Sequence, residues 1–143
     1  MTEPATLILR ASLRSRLYRD IEVSSSSTLA DLAEAIIAAF GFDMDHAYGF
    51  YSKLTGKVFD SPRRFELFAD VEGSGSRSVK RARVITTFKK VGSAMTFLYD
   101  YGDEWRFRVE VVETGQAQPG AVYPRIVSRV GTAPPQYPGI GDE

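Results

Sequence analysis

The chain has 143 residues, with 18 basic and 18 acidic side chains, one histidine and no cysteine. That length suits one domain burying about 68–70% of its unfolded surface, and the missing thiols exclude a disulfide framework, thiolate metal ligation and thiol catalysis. A pI near 6.6 argues against a dedicated nucleic-acid binder, which usually carries a basic surplus.

In chain order, Met1 to Ala5 lack the basic flank and apolar run of a secretion signal. Thr6 to Leu13 reads as a strand and Arg14 to Arg16 as a polar turn. Leu17 to Val23 reads as a second strand, its apolar Leu17, Ile21 and Val23 alternating imperfectly with Arg19, Asp20 and Glu22. Leu29, Leu32, Ala33, Ile36, Ile37 and Phe40 then share one face of a helix. Thr28 and Asp31 are placed for a capping box, and Gly41 suits the residue that ends the helix. Asp31 and Glu34 interrupt this longest apolar stretch, which falls short of the ~20 residues that cross a bilayer. The expectation is a cytoplasmic protein with no membrane segment.

Ala47 to Tyr51 and Lys57 to Asp60 are short strand candidates, joined through a turn at Lys53 to Gly56. Pro62 and the Gly73-Ser74-Gly75-Ser76 run mark an exposed loop. Val84, Phe88 and Val91 keep helical spacing ahead of Gly92, which predicts a short amphipathic helix, with a strand as the alternative. Met95 to Tyr99 and Trp105 to Val112 read as paired strands. In the second, Trp105, Phe107, Val109 and Val111 alternate with Arg106, Arg108 and Glu110. Val122 to Val130 adds a last strand, which Pro124 places at an edge, and Gly131 to Glu143 is a loop or terminal arm. With no internal repeat, residues 1–143 are expected to form one α+β domain. Its twisted, mostly antiparallel sheet would wrap on the one long helix as a β-grasp-like roll.

The segment from Phe97 to Trp105, FLYDYGDEW, concentrates chemistry at one hairpin tip. Its structural reading is a turn in which Asp100 and Asp103 bond backbone amides and Gly102 takes positive φ. Tyr99, Tyr101 and Trp105 would then pack as cross-strand neighbours. Its functional reading is an acidic site, in which Asp100, Asp103 and Glu104 bind a divalent cation or perturb one another for acid–base work. The spacing matches neither a calcium loop nor a zinc-protease motif.

The run YDYGDEW resembles the signature of the Ri-plasmid ORF-three-like family, whose members are also called transposon passenger TnpR proteins. Leu17-Tyr18-Arg19-Asp20-Ile21, Asp31-Leu32, His46 to Phe50 and Pro134 to Gly139 resemble further family segments in the same order. Tyr18 stands in place of a tryptophan, Gln136 and Tyr137 depart from an acidic ending, and Ala133 stands where many members have cysteine. The resemblance implies an α+β fold and a mobile-element association, with no established activity. No nucleophilic serine with a supporting arginine cluster can be placed, so the resolvase that the TnpR label suggests is set aside.

No catalytic residue and no cofactor is assigned. A lone histidine, His46, after a helix end reads as a hydrogen-bonded structural residue, and no GxSxG or P-loop occurs. Arg77, Lys80, Arg81, Arg83, Lys89 and Lys90 form a run without an acidic residue, suited either to phosphate or to plain solvation. The leading expectation is a non-catalytic binding or adaptor module with a protein partner. Its contact surface would be Tyr99, Asp100, Tyr101, Gly102, Asp103 and Trp105. A divalent-metal enzyme on Asp100, Asp103 and Glu104, and a nucleic-acid binder on the basic run, are the alternatives.

Overall fold

Alternating side chains build the first hairpin. In β1 (Thr6–Arg14) Leu7, Leu9 and Ala11 enter the core, as do Leu17, Ile21 and Val23 of β2 (Leu17–Ser24). A strand's period of two puts such residues on one face. The computed structural model, which describes residues 4–69 and 75–137, continues this sheet to eight strands. The others are β3 (Tyr48–Tyr51), β4 (Arg64–Glu66), β5 (Arg77–Ser78), β6 (Ala94–Tyr99), β7 (Trp105–Gly115) and β8 (Arg125–Val130). Their order is β5-β4-β3-β6-β7-β1-β2-β8. Among the described residues only β4 and β5 pair in parallel.

The helix α1 (Leu29–Ala39) forms as its pattern predicts. The Asp31 amide donates to Thr28 Oγ1 (3.2 Å) and the Thr28 amide to Asp31 Oδ2 (3.0 Å), closing the capping box. Leu29, Leu32, Ala33, Ile36 and Ile37 are buried against the sheet's core face, and Gly41 follows with φ 73°. No cation lies in the helix's own last turn, so β2 supplies one: Arg19 Nε donates to Ala39 O at 3.3 Å, and the guanidinium lies 4.9 Å from the Phe40 ring.

The expected α+β roll, with a sheet wrapped on one long helix, does not form. A helix of 11 residues is about 16 Å long, whereas eight strands span about 34 Å. α1 therefore covers only part of one face, and the molecule is a broad mixed sheet. The other face carries a separate small cluster of Tyr51, Val58 and Leu98.

Three local expectations also change. Lys57 to Asp60 is no strand: Val58–Asp60 is a 3-10 turn, in which Ser61 closes back on Val58 O through both its amide and its hydroxyl. The second helix, α2 (Val84–Thr87), buries Val84, Thr87 and Phe88 but stops there, leaving Val91 53% exposed. The last strand starts at Arg125, just after Pro124, and lies at the sheet edge as that proline predicted. Gly73 and Ser74 of the expected loop lie outside the described residues. Among the described residues no helix is long and apolar enough to cross a membrane.

Candidate functional site

The β6–β7 turn is built on Asp100. Its backbone is left-handed (φ 66°), as is that of Glu104 (φ 53°), whereas Gly102 does not take the positive φ expected of it. Asp100 Oδ1 accepts from the amides of Gly102 (3.1 Å) and Asp103 (3.3 Å). Aspartate tolerates this region because its short side chain can bond the local backbone.

Tyr99 is fully buried and reaches from β6 to the loop after α1. Its hydroxyl accepts from the amides of Asp45 (2.8 Å) and His46 (3.2 Å) and donates to Asp43 O (2.5 Å). Burial raises the Tyr99 phenol pKa, and the two amide hydrogen bonds work against that rise. His46 Nε2 faces Asp45 Oδ1 (3.3 Å) and the nearly buried Asp100 Oδ2 (3.4 Å), and meets the Tyr137 hydroxyl. The C-terminal segment closes the cluster. Gln136 Oε1 accepts from the Asp43 amide (2.6 Å), Gln136 Nε2 donates to Asp43 O (3.1 Å), and Tyr137 donates to the Asp45 carboxylate. Loss of hydration and the Asp45 hydrogen bond push the Tyr137 phenol up to about 12.

The six signature residues are thus divided. Tyr99 and Asp100 point into the His46 cluster. Tyr101, with Gly102 and Asp103 exposed beside it, packs on Phe59 at 5.5 Å. Trp105 is the register partner of Tyr99, but its ring packs on Phe42 at 4.8 Å. Asp103 and Glu104 stay exposed, and Glu104 pairs with Arg106 at 3.1 Å. Among the described residues no three His, Cys, Asp or Glu side chains gather to hold a metal ion. Of the three carboxylates expected to act together, Asp100 turns to His46 while Asp103 and Glu104 stay exposed. Asp45 was not singled out from the sequence, and Gln136 and Tyr137 were noted only as departures from the family's ending, because the partners they bond lie far away along the chain.

Four of the six residues of the basic run, Arg77, Arg81, Arg83 and Lys89, come together at the β4–β5 edge. Backbone bonds fasten it to the start of α1: Leu29 and Ala30 donate to Ala82 O and Val79 O, and Val84 donates to Ser27 O. These bonds also satisfy helix-terminal amides that lack an intrahelical acceptor. Arg77, Arg81 and Arg83 then line a groove of about 520 Å³ together with Arg63. A second hollow of about 400 Å³ shares Arg63 and Arg77 and adds Arg64 and Lys89. None of the described residues lining either hollow is acidic. Arg63 donates to Thr87 O at 3.2 Å, while the Arg77 and Lys89 side chains have no partner among the described residues. Lys80 lines a different hollow, with Glu34, Asp45 and His46, and Lys90 lines none of these. Sequence reasoning missed Arg63 and Arg64, which only strand pairing brings beside Arg77.

The model of the plasmid pRiA4b ORF-3-like protein family matches residues 7–141. The chain belongs to this family. The match runs through all the segments that meet around Tyr99: the 43–46 loop, the β6–β7 turn and the stretch through Gln136 and Tyr137. The chain is also similar to a crystal structure of a protein of unknown function from Methanosarcina mazei Go1. That likeness has a TM-score of 0.76 at 22% identity and covers 94% of this chain and 74% of the other, and it supports the fold alone. No curated protein matches the chain.

Proposed function

We propose that this plasmid ORF-3-like protein is a non-catalytic binding module whose ligand is nucleic acid, held through its phosphates at the β4–β5 edge. The observation that carries this reading is the groove lined by Arg63, Arg77, Arg81 and Arg83, with no carboxylate among its described lining residues. Guanidinium groups suit phosphate because their planar N–H forks donate in pairs. Zero net charge does not oppose the reading, since the cations are segregated rather than in surplus. The aromatic-acidic hairpin is the weaker contact surface, because Tyr99 and Asp100 spend their polar groups inside the molecule.

Fluorescence anisotropy of a labelled duplex at several salt concentrations tests the proposal. Four phosphate contacts, from Arg63, Arg77, Arg83 and Lys89, predict a log–log salt slope near −3.6, or about a 10²-fold loss between 50 and 200 mM. Replacing Arg77 and Lys89 together by alanine should lower the slope by about two and weaken binding at every sequence. Flat anisotropy at low salt would end the reading.

A further inference from the structure

A hollow of about 420 Å³ opens between α1, the loop that leads into β3 and the turn after β4. That volume falls in the range of small-molecule sites. Its walls include Met44 and Phe68, which are 40% and 51% exposed. Apolar side chains left singly in water need no explanation, but two lining one hollow supply what a ligand's apolar body covers. Tyr48 is the polar group that points to a ligand. It is 2% exposed, and its ring is fixed in the core against Phe97 (5.5 Å) and Phe50 (6.5 Å). Its hydroxyl has no hydrogen-bond partner among the described residues. Of these residues only Trp105 Nε1 is both fully buried and unpaired, so the Tyr48 hydroxyl keeps an opening, which the hollow it lines provides. Burial pushes the Tyr48 phenol up to about 12, and the carboxylates of Glu34 and Asp31 add to the rise. At neutral pH the group is therefore a hydroxyl with lone pairs to offer.

Charge decides the occupant. Glu34 and Lys80 line the hollow, and neither side chain has an ion-pair partner among the described residues. Asp45 lines it too and already takes the Tyr137 hydroxyl, while His46 turns Nε2 to Asp45 and Asp100. The carboxylates of Glu34, Asp45 and Asp100 thus outnumber the cations Lys80 and His46, and the site stays negative even when His46 is protonated. We infer that this hollow binds a primary ammonium group carried on an apolar body. The ammonium brings three donors and no acceptor, which suit the Glu34 and Asp45 carboxylates and the Tyr48 hydroxyl oxygen. The apolar body packs on Met44 and Phe68, whose ring also favours a cation. A free aryl or alkyl amine and the lysine side chain of a partner protein share this chemistry. The site is opposite in charge to the edge groove and depends on nothing proposed for that groove.

The test uses the full chain with isotope-labelled methionine methyl groups, followed by NMR. Met44 lines the hollow, and Met95, 2% exposed in the core, is the internal control. Phenethylamine, its carboxylate counterpart phenylpropanoate and a capped lysine tripeptide are titrated separately. Phenethylamine should shift the Met44 signal in a saturable way and leave Met95 in place, and phenylpropanoate should shift neither. Glu34→Gln should weaken phenethylamine roughly 10-fold, and because Glu34 is exposed and unpaired this variant guards against a folding defect. Tyr48→Phe, which keeps the ring in the core, should weaken it by about 3-fold or more. Lys80→Gln should tighten it by removing a like charge. A Met44 shift that is stronger with the lysine tripeptide than with phenethylamine would support the inference with a partner's lysine as the source. A Met44 signal that no amine moves, or amine binding unchanged by Glu34→Gln, would overturn it. A phenylpropanoate response abolished by Lys80→Gln would overturn it in favour of an anion.

Discussion

Tyr99 satisfies two loop amides and one carbonyl with a single hydroxyl, so its removal leaves buried polar groups without a partner. Tyr99→Phe should lower stability by about 1–3 kcal/mol, read by urea denaturation with Trp105 emission as the probe. Tyr101→Phe is the comparison, since that residue is exposed and its hydroxyl reaches Tyr51 at 3.2 Å. Equal losses in the two variants would mean that the loop does not depend on Tyr99. The signature marked Tyr99 and Asp100 as special residues, but not what they bond. Their partners at 43–46 and 136–137 are tens of residues away, and local pattern carries no information about such contacts. Gly102 shows the converse error. Glycine is the default at positive φ, yet here an aspartate takes that conformation because its own carboxylate bonds the turn.

Elements whose stabilisation is local were legible, and elements stabilised by remote packing were less so. α1 follows from its apolar spacing and its capping box, both set within a dozen residues. The 3-10 turn at Val58–Asp60 was misread as a strand because the burial of Val58 against Tyr51 and Leu98 decides it. The edge strand β8 depends on a close backbone approach. A Cβ on Gly131 would meet Arg16 O at 2.5 Å and Leu17 Cα at 3.1 Å, and φ is 83°. Gly120 has a similar φ (79°) but nothing within 4 Å. Thermal melts should therefore show Gly131→Ala losing clearly more stability than Gly120→Ala, by at least about 1 kcal/mol. Equal shifts would mean that β8 is not held against the 16–17 turn.

Across the whole molecule, the buried phenols set a limit at alkaline pH. Burial pushes Tyr48 up to about 12 from an ordinary 10.0, and Tyr51 and Tyr99 are also raised. Each folded phenol holds its proton more tightly than its unfolded counterpart. Its stabilising contribution is complete below pH 10 and is lost as pH rises through the folded values. Urea midpoints should hold steady up to about pH 9.5 and fall between about pH 10 and 12, with phenolate absorbance lagging behind that of the unfolded chain. A midpoint unchanged to pH 12 would contradict the raised values.

The amino-acid sequence by itself determined the strand alternation, the capped helix, the edge position of the last strand and the family, because each is written in neighbouring residues. Tertiary structure alone decided that eight strands form one broad sheet instead of a roll on the helix, since sheet order depends on pairings between distant segments. It also decided that Arg63 and Arg64 join the basic run, and that His46, Asp100 and Tyr137 meet. Charges and hydrogen-bonding groups gain their chemistry from what lies beside them in space, and chain folding sets that.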